Sequence, residues 1–194
     1  MRVNGLPGVS KVKTPRTTVP THVGLPQDKV NRSFTAAAPN RLWLADITYV
    51  KTHSGWVYAA FVLDMFSRRV AGWQVSRSLH TRLALDALDM ALWARRREAA
   101  DLSALIHHSV QYRAIRYTDR LADAGVVASV GSKGDSYDNA VAEAFNSLYK
   151  SEMVRNKGPW IGVTDVEIAT AEYLDWFNHR RLSQGVRRQL RVVA

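Results

Sequence analysis

Residues 42–76 read LWLADITYVKTHSGWVYAAFVLDMFSRRVAGWQVS. Three runs rich in β-branched and aromatic residues stand here: LWLADITYV, WVYAAFVLDMF and RRVAGWQVS. Such runs fit a pleated surface, and the turn chemistry at THSG separates the first two. The connections are short, so neighbouring strands must run antiparallel, as a meander. Each run is apolar nearly throughout rather than alternating, so the sheet is expected to be covered on both faces. Asp46 is the exception, an acid set among apolar neighbours inside the first strand.

Downstream the period changes. In HTRLALDALDMALWARRREA, residues 80–99, Leu83, Leu85, Leu88, Leu92 and Trp93 recur near helical spacing, and Thr81 can cap the start. LSALIHHS is a short fourth strand. AIRYTDRLADAG is a helix ended by Gly125, and VVASV is a fifth strand. The loop GSKGDSYDN then leads into a helix starting near Asp138. A last helix, roughly 165–178, carries Ile168, Ala171, Tyr173, Leu174 and Phe177. The order β-β-β-α-β-α-β-α-α describes an α/β protein, a mixed sheet flanked by helices. It is similar to the order of the ribonuclease-H-like fold.

The ends differ from the middle. Residues 1–40 hold six Lys/Arg and one acid, residues 180–194 hold five Arg and no acid, and residues 41–179 hold sixteen of each sign. The whole net charge of +10 therefore sits at the ends. A neutral core with basic arms suits a polyanion, nucleic acid first, although basic tails also serve solubility alone. Five of the six prolines fall within the first 39 residues, which excludes a long helix there. The expected division is a basic Pro-containing arm (1–38), a core (39–180) and a basic tail (181–194). Cysteine is absent, which excludes disulfides and thiolate metal sites. No apolar run reaches the length of a membrane span, and no secretory signal is legible.

An acid within an apolar strand is costly unless it lies at a cleft or meets a cation. For Asp46 the plain alternative is a solvated strand face. Glu143 lies in DNAVAEAFNSLYKSE, where helical spacing puts it on one face with Asn139 and Ser147 and largely away from Val141, Phe145 and Leu148. Its plain alternative is a solvated helix surface. The combination says more than either part. W-x-x-D-x-T-Y on the first strand, IHHS on the fourth and then SVGSKGDSYDNAVAEAFNSLYKSE resembles the integrase-core (DDE) transposases of bacterial insertion sequences, specifically their second-frame (OrfB-type) product. APNRLWLADITYV, DMFSRRVAGW, RYTDRLADAG and YLDWFNHRRL carry the resemblance further, over about residues 30–182.

The resemblance implies DNA transposition: cutting and joining phosphodiesters with two Mg²⁺ or Mn²⁺ ions held by three carboxylates. It makes Asp46 the first catalytic acid and metal ligand, and Glu143 the third. Lys133, Asn139, Lys150, Arg155 and Lys157 become the candidate DNA contacts around the Glu143 helix. It further implies element-end and target DNA as partners, a homo-oligomer on that DNA, and a cytoplasmic, nucleoid-associated place in a bacterium.

One part of the pattern fails. The family places its second acid directly after HHS, but here Ser109 is followed by Val110, Gln111 and Tyr112, and no Asp or Glu stands between Asp101 and Asp119. Ser109 is a weak neutral ligand, and His107 and His108 suit Mg²⁺ poorly. Asp64, Asp135 and Asp138 match other family positions. The family's helix-turn-helix region is not found ahead of the core, and the tail SQGVRRQLRVVA departs from the family's ending. The expectation is a transposase core of impaired activity, from a decayed gene copy. The competing readings are a non-catalytic DNA-binding remnant and a ribonuclease-H-like nuclease. Among the remaining residues, Arg95, Arg96 and Arg97 are expected at a solvated helix end, with phosphate contact as the alternative. Trp43, Trp56 and Trp73 are expected in the core, and Trp176 beside Phe177 in helix packing.

Overall fold

The computed structural model describes residues 35–97, 105–108, 115–130 and 140–181. Its elements follow the expected order: β1 (Leu42–Thr52), β2 (Gly55–Asp64), β3 (Val70–Ser76), α1 (Thr81–Arg97), β4 (Leu105–His108), α2 (Ile115–Asp123), β5 (Val127–Val130), α3 (Ala140–Leu148) and α4 (Val163–His179). Helix α3 continues into a π-wound segment, Tyr149–Arg155. The five strands form one sheet in the order β3-β2-β1-β4-β5. The first three are antiparallel, whereas β4 lies parallel to β1 and β5 parallel to β4.

The β1–β2 turn is tight because Gly55 takes φ +112°, which a side chain would resist. The Thr52 hydroxyl donates to the Gly55 carbonyl at 2.7 Å. Backbone bonds from His53 to Trp160 and from Ser54 to Ile161 tie this turn to the segment ahead of α4. At the other end of β2, Asp64 is buried and structural. Its carboxylate accepts from the Asn40 amide (2.6 Å), the Ser67 amide (2.7 Å) and the Ser67 hydroxyl (2.8 Å).

Both faces of the sheet are covered, as the continuous apolarity of the strands demands. On one face Trp43, Ala45, Ala60, Val62 and Ile106 pack against Leu83, Ala87, Leu88 and Ala91 of α1 and Tyr117 and Leu121 of α2. Gly72 of β3 allows the close approach of α1, since a Cβ there would lie 2.6 Å from the Ala91 nitrogen and nearer still to the Ala87 carbonyl oxygen. On the other face Val57, Phe61, Leu63 and Val75 meet Phe145, Tyr149 and Met153, and then Val166, Ala169, Tyr173 and Leu174 of α4. Phe61 anchors this layer, edge-on to Phe145 and Tyr149 at 5.0 Å each. Strand β3 is an edge, and Asn178 occupies part of it: its amide accepts from the Val70 nitrogen and donates to the Val70 carbonyl, both at 2.9 Å.

Four expectations change. Arg95 is buried, with its guanidinium 5.1 Å from the Trp43 ring centre, rather than solvated at the helix end; Arg96 is exposed as expected. A planar, weakly hydrated cation stacked on an indole tolerates burial where an ammonium would not. Trp56 is 52% exposed and Trp93 61% exposed, so neither is core, while Trp43 is fully buried. Ile168 and Ala171 face solvent, and α4 buries Val166, Ala169, Thr170, Tyr173 and Leu174 instead. Trp176 is 41% exposed and stays at the rim, beneath the Arg181 guanidinium.

Candidate active site

Asp46 lies midway along β1, on the face covered by α3, and is half-buried. Among the described residues the β1–β4 ladder runs from Leu42↔Leu105 to Ala45↔His108, and Asp46 follows Ala45 directly. On its other side Asp46 pairs with Phe61 of β2.

The contact that organises the site comes from α3. The Asn146 Nδ2 donates to Asp46 Oδ2 at 2.7 Å, bridging one hundred residues of sequence. The same amide's Oδ1 is buried, with no hydrogen-bond partner among the described residues. Glu143 lies one turn before Asn146 on α3 and is exposed. Residues three apart on a helix are neighbours, with Cβ atoms about 5–6 Å apart. Asn146 thus ties the strand bearing the first expected acid to the helix bearing the third. Lys150, one turn further on, sets its ammonium 4.5 Å from the Tyr49 ring centre. The stripe 143–146–150 follows β1, while Phe145 and Tyr149 turn into the core.

The opposite flank of α3 borders a cleft of about 850 Å³ lined by Ala144, Phe145 and Leu148, with Arg68, Arg69, His179 and Arg181 at its rim. Arg181 is partly engaged there, donating to Glu152 at 2.7 Å, and Glu152 also accepts from the Tyr173 hydroxyl. Desolvation, then the bond and charge of Glu152, raise the Tyr173 phenol above its usual range, so it remains a donor.

The expected residues fall out unevenly. Asp46 and Glu143 are brought to one helix–strand junction. Lys150 is at the same junction. Arg155 is exposed further along the helix, and Lys157 pairs with Glu172 of α4 at 3.2 Å. Lys133, Asn139, Asp135 and Asp138 lie outside the described residues, as do Ser109 and the five residues after it. Neither described acid considered for the second position reaches the site. Asp64 is consumed by its turn, and Asp119 is exposed on α2. Among the described residues no three His, Asp or Glu side chains converge as a metal-binding group. Sequence reasoning missed Asn146; its spacing from Glu143 was the available signal. It also missed the cluster Arg68, Arg69 and Arg181, which comes from distant segments.

A five-stranded mixed sheet with an acid on its first strand and another on a helix crossing that strand defines a ribonuclease-H-like core. The chain belongs to the integrase core domain family: one family model described as "Integrase core domain" matches residues 36–136, and a second of the same description matches residues 124–189. It is 49% identical over 185 residues to a putative transposase for insertion sequence element IS986/IS6110 of Mycobacterium tuberculosis, covering 93% of this chain and 66% of that protein. It is 48% identical over 185 residues to the transposase for insertion sequence element IS629 of Shigella sonnei, covering 94% of this chain and 60% of that one. The chain thus spans less than two-thirds of the length of these relatives. Among solved structures, the simian T-cell lymphotropic virus intasome aligns with TM-score 0.63 at 18% identity, over 87% of this chain and 58% of that one. The HTLV-2 integrase catalytic core in complex with magnesium aligns with TM-score 0.57 at 15% identity, over 76% of this chain and 91% of that one. These two likenesses concern the fold. Among the described residues no helix is long and apolar enough to cross a membrane.

Proposed function

We propose that this chain is the catalytic core of an insertion-sequence transposase, acting on the phosphodiesters of element-end and target DNA with divalent metal. The observation that carries the reading is the Asn146–Asp46 bond, which sets Asp46 against the helix turn that bears Glu143. The donors suit a hard cation. Asp46 and Glu143 supply carboxylate oxygens, and the unpartnered Asn146 Oδ1 supplies a neutral one. Asp46 and Glu143 would hold Mg²⁺ or Mn²⁺, which when bound activates the attacking oxygen and stabilises the leaving one. Asn146 fixes the Asp46 carboxylate in one orientation. Lys150 and the arginine-rimmed cleft on the far flank of α3 would hold phosphates on either side of that helix. Basic residues at both ends of the chain add salt-sensitive attraction to DNA. Assembly of several copies on DNA is part of the same proposal.

The missing acid shapes the proposal. With no Asp or Glu between Asp101 and Asp119, the site carries two carboxylates where the family uses three. Fewer charges bind a pair of dications less well, so DNA binding is expected to outlast catalysis. The test is strand cleavage and strand transfer on DNA carrying the ends of the parent element, with Mg²⁺ and with Mn²⁺. The expected result is salt-dependent DNA binding with little or no joining. Vigorous joining that Asp46→Asn abolishes would overturn the impairment while keeping the transposase reading. Failure to bind DNA at any salt concentration would remove both.

A further inference from the structure

We infer that Tyr49, Trp56 and Lys150 form a stacking site for an unpaired nucleobase of the DNA strand entering the candidate active site. Tyr49 and Trp56 lie on one face of the β1–β2 hairpin, diagonal across the register pairs Tyr49↔Tyr58 and Lys51↔Trp56. Their rings meet edge to face, with centroids 5.2 Å apart and planes at 85°. Yet they remain 55% and 52% exposed. Scattered exposed aromatics need no explanation, but two large rings held in contact and left open to water form a rigid platform.

Charge and position identify the occupant. The Lys150 ammonium sits 4.5 Å from the Tyr49 ring centre, and Lys51 is exposed beside Trp56 in the register. Residues 47–58 contain no Asp or Glu. An aromatic pair flanked by cations and free of acids on its own hairpin offers a π-face to a base and a counter-charge to its phosphate. An apolar protein partner would have no use for the lysines. One helix spans the platform and the acid: Asn146 touches Asp46, and Lys150, one turn later, touches the platform. Along β1, Tyr49 is three residues from Asp46, about 10 Å. That is about three nucleotide steps at the ~3.4 Å rise of stacked DNA. Alternation along β1 puts the Tyr49 and Asp46 side chains on opposite faces of the strand, and Lys150, on the helix that touches Asp46, links the two; a base stacked here would anchor the strand beside the site rather than over the carboxylate.

This inference rests on the DNA-transposase reading, and the experiment separates the two. Binding of the full chain is measured by fluorescence anisotropy to a blunt duplex and to the same duplex with a three-nucleotide 3′ overhang containing 2-aminopurine. The expected result is tighter binding to the overhang, with 2-aminopurine fluorescence quenched. Trp56→Ala should weaken overhang binding by roughly tenfold, the loss of one base–aromatic stack, while leaving blunt-duplex binding and melting temperature unchanged. Trp56→Phe should retain most of the preference. Equal affinity for both duplexes, or an equal loss on both in Trp56→Ala, would overturn the stacking site and leave the DNA reading standing. Loss of self-association in Trp56→Ala with unchanged binding of the overhang would show a protein interface instead and overturn it too. Binding to neither duplex would sink the parent reading and the platform together.

Discussion

Asn146→Asp is the sharpest perturbation of the site. In the parent the Asn146 amide donates to Asp46 at 2.7 Å. The substitution removes the donor and sets a second carboxylate against the first. Two unit charges about 4 Å apart repel by about 4 kcal/mol at an effective dielectric constant of ~20. The pair can escape by binding a proton, at a cost of about 1.4 kcal/mol for each pH unit above an ordinary aspartate pKa of ~3.9. At pH 8 that escape costs more than the repulsion, so both groups stay charged and the penalty is close to its full value. At pH 5 it costs only about 1.5 kcal/mol, and the shared proton restores a hydrogen bond. The new carboxyl has a folded pKa raised above its unfolded value, so the folded state binds more protons and stability falls as pH rises. A domain of this size shifts by about 2–4 °C per kcal/mol, so the variant should melt some 8–16 °C below the parent at pH 8 and only about 3–6 °C below at pH 5. Millimolar Mn²⁺ should return much of the loss at pH 8, because the variant again offers three carboxylates. The assay is calorimetry of parent, Asn146→Asp and Asn146→Leu, each with and without Mn²⁺. A variant with no pH-dependent deficit and no response to Mn²⁺ would refute the placement of Asn146 against Asp46, because that placement forces both effects.

Three further outcomes follow from the same structure. Gly72→Ala drives a methyl into the backbone of α1 and should cost about 3 kcal/mol or more, read as a drop in urea midpoint, with DNA binding retained by the fraction that stays folded. Asp64→Ala leaves the Asn40 and Ser67 amides without their buried acceptor and should cost about 2–4 kcal/mol in the same titration. At the start of α4, slight desolvation raises the Asp165 carboxyl, but backbone bonds from residues including Ile161 and Gly162 outweigh it and hold the pKa below the usual range. Its contribution is present above the ordinary aspartate range and is lost as pH falls through the lower folded value, so Asp165→Asn should separate from the parent in melting temperature near neutrality and converge with it in strong acid.

The sequence revealed those features that depend on local pattern. Three apolar runs joined by short turns could only pair as a meander, and alternating strands and helices after them could only build outward from β1. Features set by tertiary neighbours were hidden. A basic run at a helix end reads as solvated, and only the position of Trp43 beneath α1 explains why Arg95 turns inward while Arg96 does not. Trp56 and Trp43 look alike in a strand pattern; one lies under α1, and the other lies on the exposed part of the hairpin. The acids Asp46 and Glu143 stood out through family resemblance rather than periodicity. Asn146 matched no expectation, because an amide on an amphipathic helix is unremarkable until its partner on a distant strand is known.

That partner also explains how an acid is accommodated directly after three buried residues of β1. Trp43, Leu44 and Ala45 are almost completely buried, and Asp46 follows them directly. What changes at that residue is the neighbourhood: the carboxylate meets an amide donor from α3. In the family pattern a second acid follows β4 directly, and the sequence has no Asp or Glu between Asp101 and Asp119. A solvent-facing carboxylate would not need Asn146. The Asn146 donor at 2.7 Å therefore supports the proposal that Asp46 serves a cation, which the Mn²⁺ response of Asn146→Asp tests.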